Sequence, residues 1–205
     1  MATNLEEAAL RLVRTVDGLD VDLGPLQGSW SEQQYLKLSD QTNHPMEFTA
    51  GSIEMLTLPT EQHQLMLALL YELLLTFIRP RGGKVLFAPL RLRLHGGTFR
   101  EPDLLLVLQA AAPRRQNRYW LGADLVVEIV NPDAPERDTI TKRHEYADNG
   151  IPEYWIVNPL DETINVLALH GEAYTEYGVF QRGMTATSVL LPGFTVRVDD
   201  ILDAQ

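Results

Sequence analysis

The chain has no cysteine in its 205 residues. That removes disulfides and thiolate metal centres, and leaves oxygen and imidazole groups as the available ligands. No apolar run approaches the roughly 20 residues that cross a bilayer. The first residues, MATNLEEAALRLV, carry acids where a signal peptide carries a basic and then an apolar stretch. The expectation is a soluble cytoplasmic protein. An internal repeat, a low-complexity tract, a Gly-rich phosphate loop and a nucleophile elbow are also missing, so the simplest NTPase, dinucleotide-binding and serine-hydrolase readings fall away. Positive charge is scarce as well. Seventeen Lys and Arg face 28 Asp and Glu, a net charge of -11, whereas a phosphate backbone is held mainly by Lys and Arg.

What positive charge there is lies unevenly. Nine basic residues (Arg79, Arg81, Lys84, Arg91, Arg93, Arg100, Arg114, Arg115 and Arg118) fall between positions 79 and 118, against only Glu101 and Asp103. More than half of the cationic side chains thus occupy one fifth of the chain, as either a solvated surface or a phosphate-facing patch.

With 45% hydrophobic and 22% charged residues, the length suits one substantial core. We read one domain, residues 30–205, behind an extension, residues 1–29. Within the extension, 4–16 shows helical spacing with Asn4 as a cap, followed by a Gly-rich connector. Ser31 and Gln34 form a capping box for a helix over 31–39. MEFTAG and SIEMLTLP read as short strands around Gly51. The Leu-dense stretch 60–78 reads as a buried helix ended by Pro80, Gly82 and Gly83. VLFAPLRLRL alternates like a half-exposed strand, whereas DLLLVL and DLVVEIV read as central strands covered on both faces. A polar-faced helix over 136–148, closed by Asn149 and Gly150, precedes the strands EYWIVN and TINVLAL, and GFTVRVDDIL adds a last strand and turn. The order predicts an α/β (α+β) domain, a mixed sheet flanked by helices, with a helical N-terminal extension.

Glu128 is the sharpest anomaly, a carboxylate inside the apolar strand DLVVEIV, where burial without a partner costs several kcal/mol. Asp103 follows Pro102 and opens another apolar strand. Two carboxylates converging on neighbouring strands repel unless a cation lies between them, and such a pair suits Mg²⁺ or Mn²⁺. Taken singly, Asp103 also fits a turn before a strand, and Glu128 a salt bridge to a nearby arginine.

EPDLLLV, DLVVEIVNPDAPERDTITKRHEY and NGIPEYWIVNP together resemble the bacterial Uma-two family of restriction endonucleases, a branch of the PD-(D/E)XK superfamily with the restriction-endonuclease-like fold. The resemblance spans Trp30 to about Leu169 and carries Pro102-Asp103, Glu128-Ile129-Val130, Lys142 with Tyr146, and Gly150 to Trp155 in the family's order. The superfamily usually places a lysine two residues after the acid. Val130 stands there, and the resemblance assigns that role to Lys142 on the following helix.

The resemblance implies a metal-dependent DNA endonuclease. Asp103, Glu128 and the backbone carbonyl of Ile129 would hold Mg²⁺ or Mn²⁺, Glu47 would support the ion, and Lys142 would orient or deprotonate the attacking water. His63 matches a recurrent histidine of the family. His63, Arg91, Arg93, Arg100 and Tyr146 are the expected nucleic-acid contacts, DNA the expected partner, and a C₂ homodimer the expected assembly. Two readings stand beside it: a nuclease-fold module that binds nucleic acid or protein without cutting, and a hydrolase of a small phosphoester. Ala50 departs from the family, which commonly has Asp before the hairpin glycine.

Overall fold

The computed structural model describes residues 10–205, which fall into two compact units: the first takes residues 10–58 and 96–100, the second 59–95 and 101–205.

The first unit begins with an antiparallel hairpin of β1 (Arg11–Arg14) and β2 (Leu19–Asp22). The helix expected over 4–16 is therefore replaced by a strand in its described part, and Asn4 with the rest of that stretch lies outside the described residues. The cause is the turn: Gly18 adopts φ 71°, a conformation open to glycine, and Arg11 pairs with Asp20 at 2.9 Å across the strands. The helix α1 (Glu32–Ser39) has the expected capping box from Ser31 and Gln34. Next come β3 (Met46–Thr49) and β4 (Ser52–Met55), paired antiparallel. Gly51 turns them with φ 81°, and a Cβ there would lie 2.5 Å from the Gly28 carbonyl oxygen. Ala50 also has positive φ, 49°, which Asp tolerates better than Ala.

The second unit opens with α2 (Glu61–Ile78), whose Thr60 hydroxyl caps the His63 N–H. Strands β5 (Lys84–Phe87) and β6 (Arg91–Arg93) follow. They were expected as one strand, and Pro89 lies at the break, unable to donate to a ladder. The chain then contributes β7 (Phe99–Arg100) to the first unit, where Phe99 stands opposite Phe48 and joins Tyr35 in an aromatic cluster.

Back in the second unit run β8 (Leu104–Val107), β9 (Tyr119–Trp120), β10 (Leu125–Ile129), β11 (Glu153–Asn158), β12 (Thr163–His170), β13 (Ala173–Gln181), β14 (Thr185–Thr187) and β15 (Thr195–Arg197). Six form a mixed sheet in the order β13-β12-β11-β10-β8-β5. Only β10 and β11 run parallel in it. The nine-residue β13 was not anticipated, and the expected terminal turn is the short helix α4 (Val198–Leu202).

β8 and β10 are buried along their whole length, so their alternate side chains feed two cores, as the continuous apolar runs require. Met66, Leu67, Leu70, Leu74 and Ile78 of α2 cover one face, against Leu104, Leu106, Leu125, Val127 and Trp155; each such burial stabilises by roughly 1.5–3 kcal/mol. The other face packs Leu105, Val107, Val126, Tyr154 and Ile156 against Tyr146 and Ala147. These two come from α3 (Lys142–Asp148), which is entered through a wide π-helical turn, Arg137–Thr141, in which the Lys142 N–H donates to the Arg137 carbonyl. Gly150, with φ 68°, closes α3 by donating to the Ala147 carbonyl.

One buried acid of this unit is purely structural in its contacts. The Glu153 carboxylate, 1% exposed, accepts from the Trp155 indole at 2.6 Å, the Ser188 hydroxyl at 2.6 Å and the N–H groups of Val189 and Leu190 at 2.8 and 2.6 Å.

Candidate active site

Antiparallel pairing sets Val127 of β10 opposite Leu104 of β8, and one further step along that register brings Glu128 to Asp103. The backbone ties them: the Ile129 N–H donates to Asp103 Oδ2 at 2.8 Å, and the Asp103 N–H points at Glu128 Oε2 at 3.4 Å. The strand and the preceding turn thus present two carboxylates side by side because the ladder continues past its last regular pair.

Glu128 is 2% exposed. Its Oε1 meets Lys142 Nζ at 2.9 Å and accepts from the Tyr146 hydroxyl at 2.5 Å. Lys142 and Tyr146 stand four apart on α3, so one helical face delivers both to the same oxygen. Lys142 thus supplies a cation to this buried acid. A fifth group arrives from α2: His63 Nε2 is 3.3 Å from Asp103 Oδ2.

A sixth group was not foreseen. Asp138, in the wide turn, is 4% exposed and its Oδ1 lies 2.9 Å from Lys142 Nζ. The sequence signal for it is the spacing Asp138, Lys142, Tyr146, each four residues apart. Asp103, Glu128 and Asp138 set three carboxylates against the Lys142 ammonium and the His63 imidazole. Burial works to lower the His63 pKa, but the Asp103 hydrogen bond and the charges of Asp103 and Asp138 outweigh it and raise it above the ordinary histidine value. Tyr154, whose hydroxyl donates to the Asp138 carbonyl at 2.9 Å, is held well above the usual tyrosine range by burial and then by the Glu128 and Asp138 charges. Nearby negative charge contributes to both shifts.

The donor set suits a hard divalent cation. It offers carboxylates with carboxylate charge to spare among these residues, and no thiolate. Among the described residues no group of three or more His, Asp and Glu side chains is arranged to hold an ion. The fit is thus to an ion of the Mg²⁺ kind, which takes one or two protein carboxylates and fills the rest of its octahedron with water and substrate phosphate.

The remaining expected site residues have contacts of their own. Glu47, fully buried on β3 of the first unit, pairs through Oε2 with Arg100 at 2.8 Å. That pairing and its burial take Arg100 away from any phosphate-facing surface. Tyr146 likewise has no exposed surface, and its hydroxyl donates to Glu128. Arg91 faces Glu101 at 3.8 Å, Arg93 is half-buried on β6, and Arg114 pairs with Asp124. Part of the basic segment is therefore neutralised by nearby acids, while Arg79, Arg81, Lys84 and Arg118 stay exposed.

Residues 32–199 match the model of a family, Uma2, described as "Putative restriction endonuclease". Among solved structures the chain is similar to a putative nuclease belonging to DUF820 from Anabaena variabilis, with a TM-score of 0.69 and 18% identity over 84% of this chain and 97% of that one. No curated protein matches. The mixed sheet with its flanking helices is the restriction-endonuclease-like fold that the motifs led us to expect.

Proposed function

The chain belongs to the Uma2 family, and from that premise we propose that it is a metal-dependent DNA endonuclease whose site is Asp103, Glu128 and Lys142, with His63 at its edge. The observation that supports this best is the convergence of Lys142 Nζ on Glu128 Oε1 at 2.9 Å, because a lysine from α3 then fills the role that Val130 cannot.

Asp103, Glu128 and the Ile129 carbonyl would hold Mg²⁺ or Mn²⁺, which when bound supplies charge withdrawal from the scissile phosphate and a more acidic water. Lys142, cationic between Glu128 and Asp138, acts by orienting the attacking water and by offsetting negative charge on the phosphate. Tyr146 fixes the Glu128 carboxylate by donating to Oε1, while Oε2 faces the Asp103 N–H. His63 meets Asp103 through Oδ2 and so helps to orient its carboxylate. Hydrolysis would leave a 5′-phosphate and a 3′-hydroxyl. A C₂ dimer would set two such sites on opposite strands of a duplex.

The neutralised arginines favour a second reading, hydrolysis of a smaller phosphoester, for which a weakly positive surface is no handicap. Supercoiled plasmid and bis(p-nitrophenyl) phosphate, each offered with Mg²⁺ or Mn²⁺, separate the two. The endonuclease reading expects nicking that EDTA abolishes without unfolding the protein and that Asp103→Ala, Glu128→Ala and Lys142→Ala each lose. Turnover of the small ester alone moves the assignment to the second reading, and no turnover of either rejects both.

A further inference from the structure

Asp138 takes no part in the chemistry above, yet it is as deeply buried as Lys142. A buried aspartate is costly unless something compensates it, and here the compensation is specific. Lys142 Nζ lies 2.9 Å from Asp138 Oδ1 and 2.9 Å from Glu128 Oε1. The Asp138 contact falls outside hydrogen-bond geometry, so it is one of charge. The two carboxylates stand on different elements, the wide turn and β10, so together they fix a flexible four-carbon stem from two directions. Asp138 is itself held, since Tyr154 donates to its carbonyl at 2.9 Å and Thr139 Oγ1 donates to Pro135 O at 2.8 Å beside it. Such π-helical turns recur at functional sites.

We propose that Asp138 is a positioning residue for the nuclease reaction: it holds the Lys142 ammonium beside Glu128 and touches neither substrate nor ion. The inference rests on the nuclease reading. Misplacing a reacting group by about 1 Å can cost on the order of 10²-fold in rate, and a residue acting only in that way leaves substrate binding alone.

Asp138→Asn keeps shape and removes charge. Its kcat for plasmid nicking is expected to fall roughly 10–100-fold with KM within about twofold. A second measurement needs no activity. With Lys142 present, Asp138→Asn should lower the urea midpoint, because Lys142 loses a counter-charge. Added to Lys142→Met it should raise the midpoint, or restore folding, because it removes a buried carboxylate that no longer has its cation. A kcat within twofold of wild type overturns the proposal, as does a midpoint shift of the same sign in both backgrounds. A wild type that cuts nothing rejects the nuclease reading alone, and the midpoints still decide whether Asp138 and Lys142 act as a pair.

Discussion

Glu128 and Glu153 are both buried acids on the one parallel strand pair of the sheet, three residues apart in register, and their surroundings could hardly differ more. Glu153 is enclosed by four neutral donors from an indole, a hydroxyl and two backbone amides, and so pins the turn at 188–190 to β11. Glu128 shares one oxygen between an ammonium and a phenol and sits beside a second carboxylate. Burial alone does not mark chemistry. A saturated carboxylate builds the fold, and one crowded with like charge invites a cation.

That contrast predicts opposite phenotypes. The largest effect is expected for Glu128→Ala, where nicking per folded molecule should fall by about 10³-fold, or roughly 4 kcal/mol of transition-state stabilisation. Glu153→Ala should leave turnover per folded molecule within about twofold while lowering stability by about 3 kcal/mol in urea, since it strands buried donors; a matching loss of turnover would bring Glu153 into the site and end the distinction. Glu153→Gln sharpens the point. It keeps shape but turns one acceptor into a donor, and about 1–2 kcal/mol of destabilisation is expected in the same titration. Smallest of all is Arg11→Ala in the exposed β1–β2 hairpin, within about 0.5 kcal/mol by thermal melting, as is usual for a surface ion pair.

The sequence revealed the carboxylate pair because Glu128 violates the pattern of its own strand, and a violated pattern is visible without a structure. It also showed the buried helix at 61–78 and the central strands, whose apolar runs have no other use. Asp138 was passed over because it lies in the polar run ERDTITKRHE, where an acid looks like any solvated helix residue, and only its four-residue spacing to Lys142 and Tyr146 marks it. The reach of His63 to Asp103 depends on how α2 packs, which no local pattern encodes. The N-terminal hairpin was missed because the spacing in RLVRTVDGLDVD allows either helix or strand, and Asp17-Gly18 decides it as a turn. Tyr146 and Arg100 look like surface groups by residue type, and burial with Glu128 and Glu47 makes them interior ones.

The π-helical turn at Arg137–Thr141 makes the spacing before α3 matter in units of whole residues. Deleting one residue between Asp138 and Lys142 would tighten the turn to ordinary α-helix and set Asp138 three positions before the lysine, about 60° from it around the helix axis. The two would remain on one helix face, so a shorter segment keeps the pair within reach but changes the angle from which the carboxylate meets the ammonium. The extra residue of the wide turn thus sets the direction of that contact, and a relative with a one-residue gap there should still bring an acid to its lysine, from a different side.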